Sequence, residues 1–209
     1  MKKLFEKYSH IKVILLYSVF YMCFFLYLES RQAIVFNTTT FIDSYIPFCE
    51  YFVIFYLFWF VYVFFAVFYF TFIETDKFHL VAKYLMIGMT VCLFIDLLIP
   101  NGISLRPVLT NDNVFQMLVS FIYSLDTSTN VFPSIHVYNS IVVGYALHYS
   151  QLLNGKNILK ILNICLVVLI CASTVLLKQH AFLDIIAGVI VAVIVVCLIN
   201  KYERMKKVL

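Results

Sequence analysis

The sequence predicts an all-α, polytopic membrane protein with six transmembrane helices and an active site on the extracytoplasmic side. Three observations predict it. Hydrophobic residues make up 64% of the 209-residue chain and charged residues only 12%, too little polar surface to cover a water-soluble globule. Six stretches are long and apolar enough to cross ~30 Å of hydrocarbon as helices. The cations, finally, are sorted between the loops that would lie on opposite sides.

The six stretches fall at about residues 11–28, 51–73, 84–99, 133–153, 158–177 and 180–200. The first has the position of a signal peptide, but it is longer than a typical signal core and no A-x-A-like cleavage site follows Glu29, so it is expected to stay as an anchor. The second carries no charge. The third is short and has Asp96 near its end. The fourth opens at Pro133, a residue suited to the first helical turn, where its missing N–H is no loss. The last begins with His180 and Asp184, four residues apart.

Six spans put both termini on one side. Lys2, Lys3, Lys7, Lys12, Lys77, Lys83, Lys156, Lys160, Lys201, Arg204, Lys206 and Lys207 fall at the termini or in the two loops that share their side; only Arg31, Arg106 and Lys178 fall opposite. By the positive-inside rule the termini are cytoplasmic and the other loops face outside. The net charge of +4 follows from this asymmetry. It gives no support to nucleic-acid binding, and the clusters beside the spans suit anionic lipid head groups.

No repeat or linker divides the chain, so residues 1–209 are read as one domain with its motif-bearing core at about 84–200. The outer segment 114–125 places Phe115, Leu118, Val119, Ile122 and Leu125 on one helical face, as an interfacial lid or as a helix packed on the outer ends of the spans. Asn37-Thr38-Thr39 is a glycosylation sequon on the outer side. The six cysteines have no metal-ligand spacing and read as small apolar fillers.

Three polar fragments interrupt the lipid-like chain on the outer side. On a helix, His180 and Asp184 share a face, so the carboxylate can accept from the imidazole and fix its tautomer. An ionised Asp in a span costs roughly 2.5–3.5 kcal/mol on insertion scales and usually has a partner; His180 is that partner. Ser134 and His136 lie in the first turn of the fourth span, where exposed N–H groups and the positive helix end favour an anion. His136 can deliver a proton near neutral pH. Arg106, with its guanidinium fork, suits phosphate, and Ser173 and Lys178 stand just before His180. Snorkelling to the interface is the other reading of Lys178. His10, His79 and His148 are given no role. Asp96 supports Arg106 or Lys178, or marks the interface.

This ordered set resembles the type 2 phosphatidic acid phosphatase superfamily. Its first motif ends in Arg-Pro, here Arg106-Pro107. Its second is Pro-Ser-x-His, here Pro133 to His136. Its third runs Ser-Arg, five residues, His, three residues, Asp; here Ser173-Thr174 precede His180 and Asp184 at those spacings. Two family cations are replaced, by Ile99 and Thr174. The Lys178-Gln179-His180 run resembles the branch of inositol phosphorylceramide synthases and related bacterial lipid phosphatases, which implies a bacterial plasma membrane.

The resemblance implies a phosphatase that acts on a phosphate monoester or pyrophosphate of a membrane lipid. His180 is then the nucleophile, Asp184 its orienting carboxylate and His136 the acid and base. Arg106, Ser134, Ser173 and Lys178 hold the phosphate. No metal or other cofactor is expected. Two rivals stand beside this reading. A phosphotransferase passes the phospho-head group to a lipid or sugar alcohol through the same covalent step. A non-catalytic binder or transporter keeps the cations but has no use for the spacing of His180 and Asp184.

Overall fold

The computed structural model describes residues 11–31, 33–110 and 112–208. Lys2, Lys3, Lys7 and His10 lie outside the described residues. Among the described residues seven α-helices predominate: α1 (Ile11–Arg31), α2 (Val53–Phe72), α3 (Phe78–Leu98), α4 (Val114–Leu125), α5 (Ile135–His148), α6 (Asn157–Leu176) and α7 (Phe182–Val208). The two-residue strands β1 (Phe36–Asn37) and β2 (Asn101–Gly102) pair in parallel. They join the segment after α1 to the segment after α3.

Among the described residues five helices, α1, α2, α3, α6 and α7, are long and apolar enough to cross a membrane. The bounds of the fourth predicted span are corrected. In place of residues 133–153 the helix α5 has 14 residues, about 21 Å at 1.5 Å per residue. That is short of a ~30 Å core. Ten of its residues are buried, Asn139, Ser140 and Gly144 among them, and it packs on α2, α3, α6 and α7. A helix surrounded by protein needs neither the length nor the uniform apolarity of a lipid-facing one. Interhelical hydrogen bonds fix it: Tyr62 donates to Asn163 Oδ1 at 2.8 Å, and Asn163 Nδ2 donates to the Gly144 carbonyl at 3.0 Å.

Two other boundaries move. Helix α3 starts at Phe78, six residues before the predicted span. Helix α7 starts at Phe182 and runs to Val208, so His180 precedes the helix instead of opening it. The segment 114–125 is a helix with the predicted bounds. Val119 and Ile122 pack with Val53, Tyr56 and Leu177, whereas Leu125, assigned to the same face, is 69% exposed beside Met117 and Phe121.

Hydrogen bonds tie the two ends of the bundle. At one end Lys77 Nζ donates to the Tyr149 carbonyl and Lys83 meets Glu203, joining the α2–α3 turn, the α5–α6 turn and the C-terminal part of α7. At the other, Arg31 donates to the Asp96 and Leu97 carbonyls, Cys49 N donates to the Leu176 carbonyl, and Ser134 N donates to the Asp184 carbonyl. The helices thus alternate in direction, and all three polar fragments lie at this second end. Gly188 brings α7 against the start of α5: a Cβ there would lie 2.8 Å from the Ser134 carbonyl oxygen and 3.1 Å from Val137 Cβ.

Candidate functional site

Two imidazoles face each other beneath the loops of that end. His180 Nδ1 lies 2.9 Å from the Val131 carbonyl oxygen, and His180 Nε2 lies 3.4 Å from His136 Nδ1. A carbonyl only accepts, so Nδ1 of His180 carries the proton and Nε2 keeps its lone pair when the ring is neutral. His136 Nδ1 is then the donor of the pair. Both rings are buried, and His136 is packed between Trp59 and Tyr56, with ring centroids 4.3 and 4.7 Å away.

The spacing of His180 and Asp184 predicts a helical pair; the structure makes a different one. Residues 177–180 form a turn and His180 stands outside α7. Asp184 Oδ2 accepts from Ala181 N at 2.7 Å and lies 3.5 Å from His180 Nδ1. The carboxylate therefore caps α7 first and acts on the imidazole as a nearby charge. The closer partner of Nδ1 is the Val131 carbonyl. Asp184 is fully buried, and its Oδ1 has no hydrogen-bond partner.

Ser134 is the N-cap of α5 and Pro133 precedes it, two positions before the first helical residue Ile135 and so outside the first turn predicted for proline. Val137 N donates to Ser134 Oγ at 3.4 Å and Tyr138 N to the Ser134 carbonyl at 3.0 Å. The N–H groups of Ile135 and His136 have no intrahelical acceptor, as in any first turn. Their positive end adjoins the two imidazoles.

The predicted phosphate ligands differ in what they touch. Arg106 reaches the site through Gln179, whose Oε1 accepts from Nη2 at 2.5 Å; the guanidinium also donates to the Thr127 and Tyr123 carbonyls and lies over the Tyr123 ring. Its Nε has no partner. Lys178 has a backbone φ of 54°, and its ammonium donates to the carbonyls of Asp43 and Ile46 at 2.9 and 2.6 Å. This leaves one N–H for another acceptor. Ser173 donates to the Ile170 carbonyl of its own helix at 2.6 Å, so only its oxygen lone pairs remain. Burial pulls the pKa values of Arg106 and Lys178 below their ordinary range, against the opposing pull of Asp126 and Asp43.

Four residues with a part in the site were not found by sequence reasoning. Asn101 Oδ1 accepts from Val131 N and Phe132 N at 2.8 and 2.9 Å, and its Nδ2 donates to Asp96 Oδ1 at 2.8 Å. Asp96 and Asn101 thus hold the backbone that holds His180, and the Asn-Gly pair was the available signal. Asp43 Oδ1 accepts from Phe182 N at 2.7 Å, capping α7 from the loop after α1. The pattern Thr40-x-x-Asp43 could have announced a capping box. Gln179 holds Arg106. Asp126 accepts from the Tyr56 hydroxyl at 3.4 Å; burial pushes its carboxyl up, with His180 and Arg106 pulling the other way. Gln179 lies in the Lys178-Gln179-His180 run, which carried a resemblance but no role for it, and no pattern marks Asp126.

Residues 79–207 match the profile of the PAP2 superfamily, over more than half of the chain. No curated protein and no solved structure matches it.

Proposed function

The chain belongs to the PAP2 superfamily, and on that footing we propose that it is a lipid phosphate phosphatase acting on a phosphate monoester or pyrophosphate of a membrane lipid. Membership supports phosphatase or phosphotransferase chemistry on lipid phosphates. The observation that carries the finer reading is the imidazole pair: a Nδ1–H fixed on the Val131 carbonyl leaves the Nε2 lone pair of His180 facing a donor on His136.

In the first step His180 Nε2 attacks phosphorus, the bond from phosphorus to the ester oxygen breaks, and His136, entering the step as the imidazolium, gives its Nδ1 proton to the leaving alkoxide and is left neutral. The ring of His180 gains positive charge, which the buried Asp184 carboxylate 3.5 Å away offsets. In the second step water attacks the phosphohistidine. Its proton goes to His136, the bond from phosphorus to nitrogen breaks, and the electron pair returns to Nε2. Arg106, the remaining N–H of Lys178, the Ser134 hydroxyl and the N–H groups at the start of α5 stabilise the equatorial oxygens, an electrostatic task preorganised by burial, whereas Ser173, its O–H given to the Ile170 carbonyl, has no proton left to donate to them. The cation distribution supports a site facing outside, with both termini cytoplasmic.

The test is purified protein in detergent, offered lipid phosphates with and without EDTA, with free phosphate and an acid-labile phosphoenzyme measured. Metal-independent phosphate release with vanadate inhibition is expected. Transfer of phosphate to an added alcohol in preference to water would make the protein a phosphotransferase. Activity lost in EDTA and restored by Mg²⁺ would point to other chemistry.

A further inference from the structure

Helix α4 has three faces. Gln116, Ser120 and Ser124 recur every four residues and form a narrow polar stripe. Phe115, Leu118, Val119 and Ile122 lie towards the bundle, in one cluster with Val53, Tyr56 and Leu177. Between these two faces Val114, Met117, Phe121 and Leu125 make a second apolar stripe, and it is 58–69% exposed. From Val114 to Leu125 that stripe runs ~16 Å at 1.5 Å per residue.

The level of the helix says what meets the stripe. Phe115 stacks edge-on against Tyr51 with ring centroids 5.1 Å apart, Asn113 Nδ2 donates to Glu50 Oε1 at 3.2 Å, and Val119 and Ile122 share their cluster with Val53 and Tyr56. The membrane-crossing stretch that contains α2 begins at Glu50. Contacts with residues 50–56 therefore set α4 beside about the first 9 Å of a span. Helices that lie in the boundary between head groups and acyl chains are immersed by ~5–10 Å.

The chemistry of the helix agrees with that depth. No residue from Val114 to Leu125 is charged. Gln116 N is capped by Asn113 Oδ1 at 2.9 Å, and the exposed Ser124 hydroxyl donates to the Phe121 carbonyl of its own helix at 2.7 Å. A contiguous row of large apolar side chains facing water marks a surface that something covers, and here the hydrocarbon around α2 lies at the same level.

The same helix grips a residue of the site. Arg106 Nη1 donates to the Tyr123 carbonyl at 3.3 Å, its Cζ lies 4.4 Å from the centre of the Tyr123 ring, and Nη2 donates at 2.7 Å to the carbonyl of Thr127, just past the helix. The Tyr123 hydroxyl donates to the Leu177 carbonyl at 2.5 Å, in the turn that leads to His180. A shift of α4 moves the guanidinium.

We propose that α4 is an interfacial helix whose second apolar stripe lies among the acyl chains of the leaflet at the site end, and that this contact with the bilayer surface holds Arg106 in place. The partner is the lipid surface and not a substrate molecule. Because α4 is uncharged, a bilayer of phosphatidylcholine without anionic lipid suffices. The contact depends on the membrane fold alone and stands whichever reaction the histidines perform.

Two measurements test the two halves. Trp59 is the single tryptophan of the chain, so a second one is read as the fluorescence added to that of the unchanged protein. In vesicles of phosphatidylcholine brominated near the top of the acyl chain, the added fluorescence of Phe121→Trp, or of Leu125→Trp should the first not fold, should be quenched. Lipid brominated near the chain end should quench it less. Ser124→Trp, on the polar stripe, should be quenched severalfold less than either. Equal quenching at the polar and apolar positions, quenching by aqueous iodide alone, or quenching by neither, as under a protein partner, overturns the proposal.

The second measurement lifts the helix. Met117→Glu with Phe121→Glu puts two carboxylates on the stripe, where hydrocarbon disfavours them, and Leu125→Trp reports the position of the helix. Quenching by bromolipid should be lost, and phenylglyoxal should modify Arg106 faster, by roughly tenfold, read from the mass of its peptide. Met117→Gln with Phe121→Gln, should the first pair not fold, should show the same two changes at smaller size. Quenching lost with Arg106 modified at the unchanged rate overturns the link to the site, and quenching retained with both pairs overturns the membrane contact.

Discussion

The two ends of the bundle use the same residue types in opposite ways. At the end away from the histidines two cations have a carboxylate partner: Lys77 meets Glu74 at 2.8 Å and Lys83 meets Glu203 at 2.5 Å. At the site end Arg31, Arg106 and Lys178 are held by backbone carbonyls and one amide oxygen. Among the described residues none of the three has a carboxylate at ion-pair distance. Carbonyl dipoles orient a cation without cancelling its charge. At one end two cations are thus neutralised by carboxylates, and at the other the cations keep their charge, as the proposed binding of a phosphate requires.

The largest expected effect separates the two ends outright. His180→Ala should abolish turnover and the phosphoenzyme and leave the melting temperature in detergent near that of the unchanged protein. Full activity in this variant would end the covalent mechanism. His136→Ala removes the proton donor and not the nucleophile. It should lower turnover by roughly 10² to 10⁴, and a substrate with a better leaving group should recover most of the loss.

The uncancelled cations come next. A hydrogen bond to a charged group is worth about 1.5–3 kcal/mol, so Arg106→Ala should lower kcat/KM by about 10- to 150-fold at ~1.4 kcal/mol per decade. Lys178→Met should cost a similar factor by steady-state kinetics. It should also loosen residues 40–46, read as faster hydrogen exchange there, because two of its donors hold that loop. Near-normal activity in both variants would mean that backbone N–H groups alone bind the phosphate, and the comparison would collapse.

The smallest effect is predicted for the opposite end. Glu74 accepts from Tyr69 and Gln151 N, each at 3.0 Å, and pairs with Lys77. Burial raises its pKa, but these donors prevail and hold it below the ordinary value. A carboxyl with a depressed folded pKa adds stability that is present above its ordinary value and lost as pH falls through the folded one. The melting temperature should therefore drop on acidification below about pH 4.5, and less steeply in Glu74→Gln. At neutral pH that variant should lose stability, by roughly 1–3 kcal/mol at most, with kcat unchanged.

Much of this was legible in one dimension. The apolar runs gave the helices because length and hydropathy act locally, and segment 114–125 kept its bounds because its periodicity is a property of twelve consecutive residues. His136, His180, Asp184, Ser134 and Arg106 could be read as one site because each motif has a fixed internal spacing. The bounds of helix α5 were misjudged because burial by four neighbours, and not its own composition, sets how long and how apolar it must be.

What the sequence determined by itself was the class of the molecule and the inventory of candidate site residues, since both follow from residue type and short-range pattern. The tertiary structure decided which atom does what. The proton of His180 is placed by a carbonyl 49 residues away, Asp184 serves a helix end before it serves the imidazole, and the Lys178 ammonium is held by a loop more than 130 residues earlier. These assignments depend on distances between segments remote in the chain, and no local pattern encodes them.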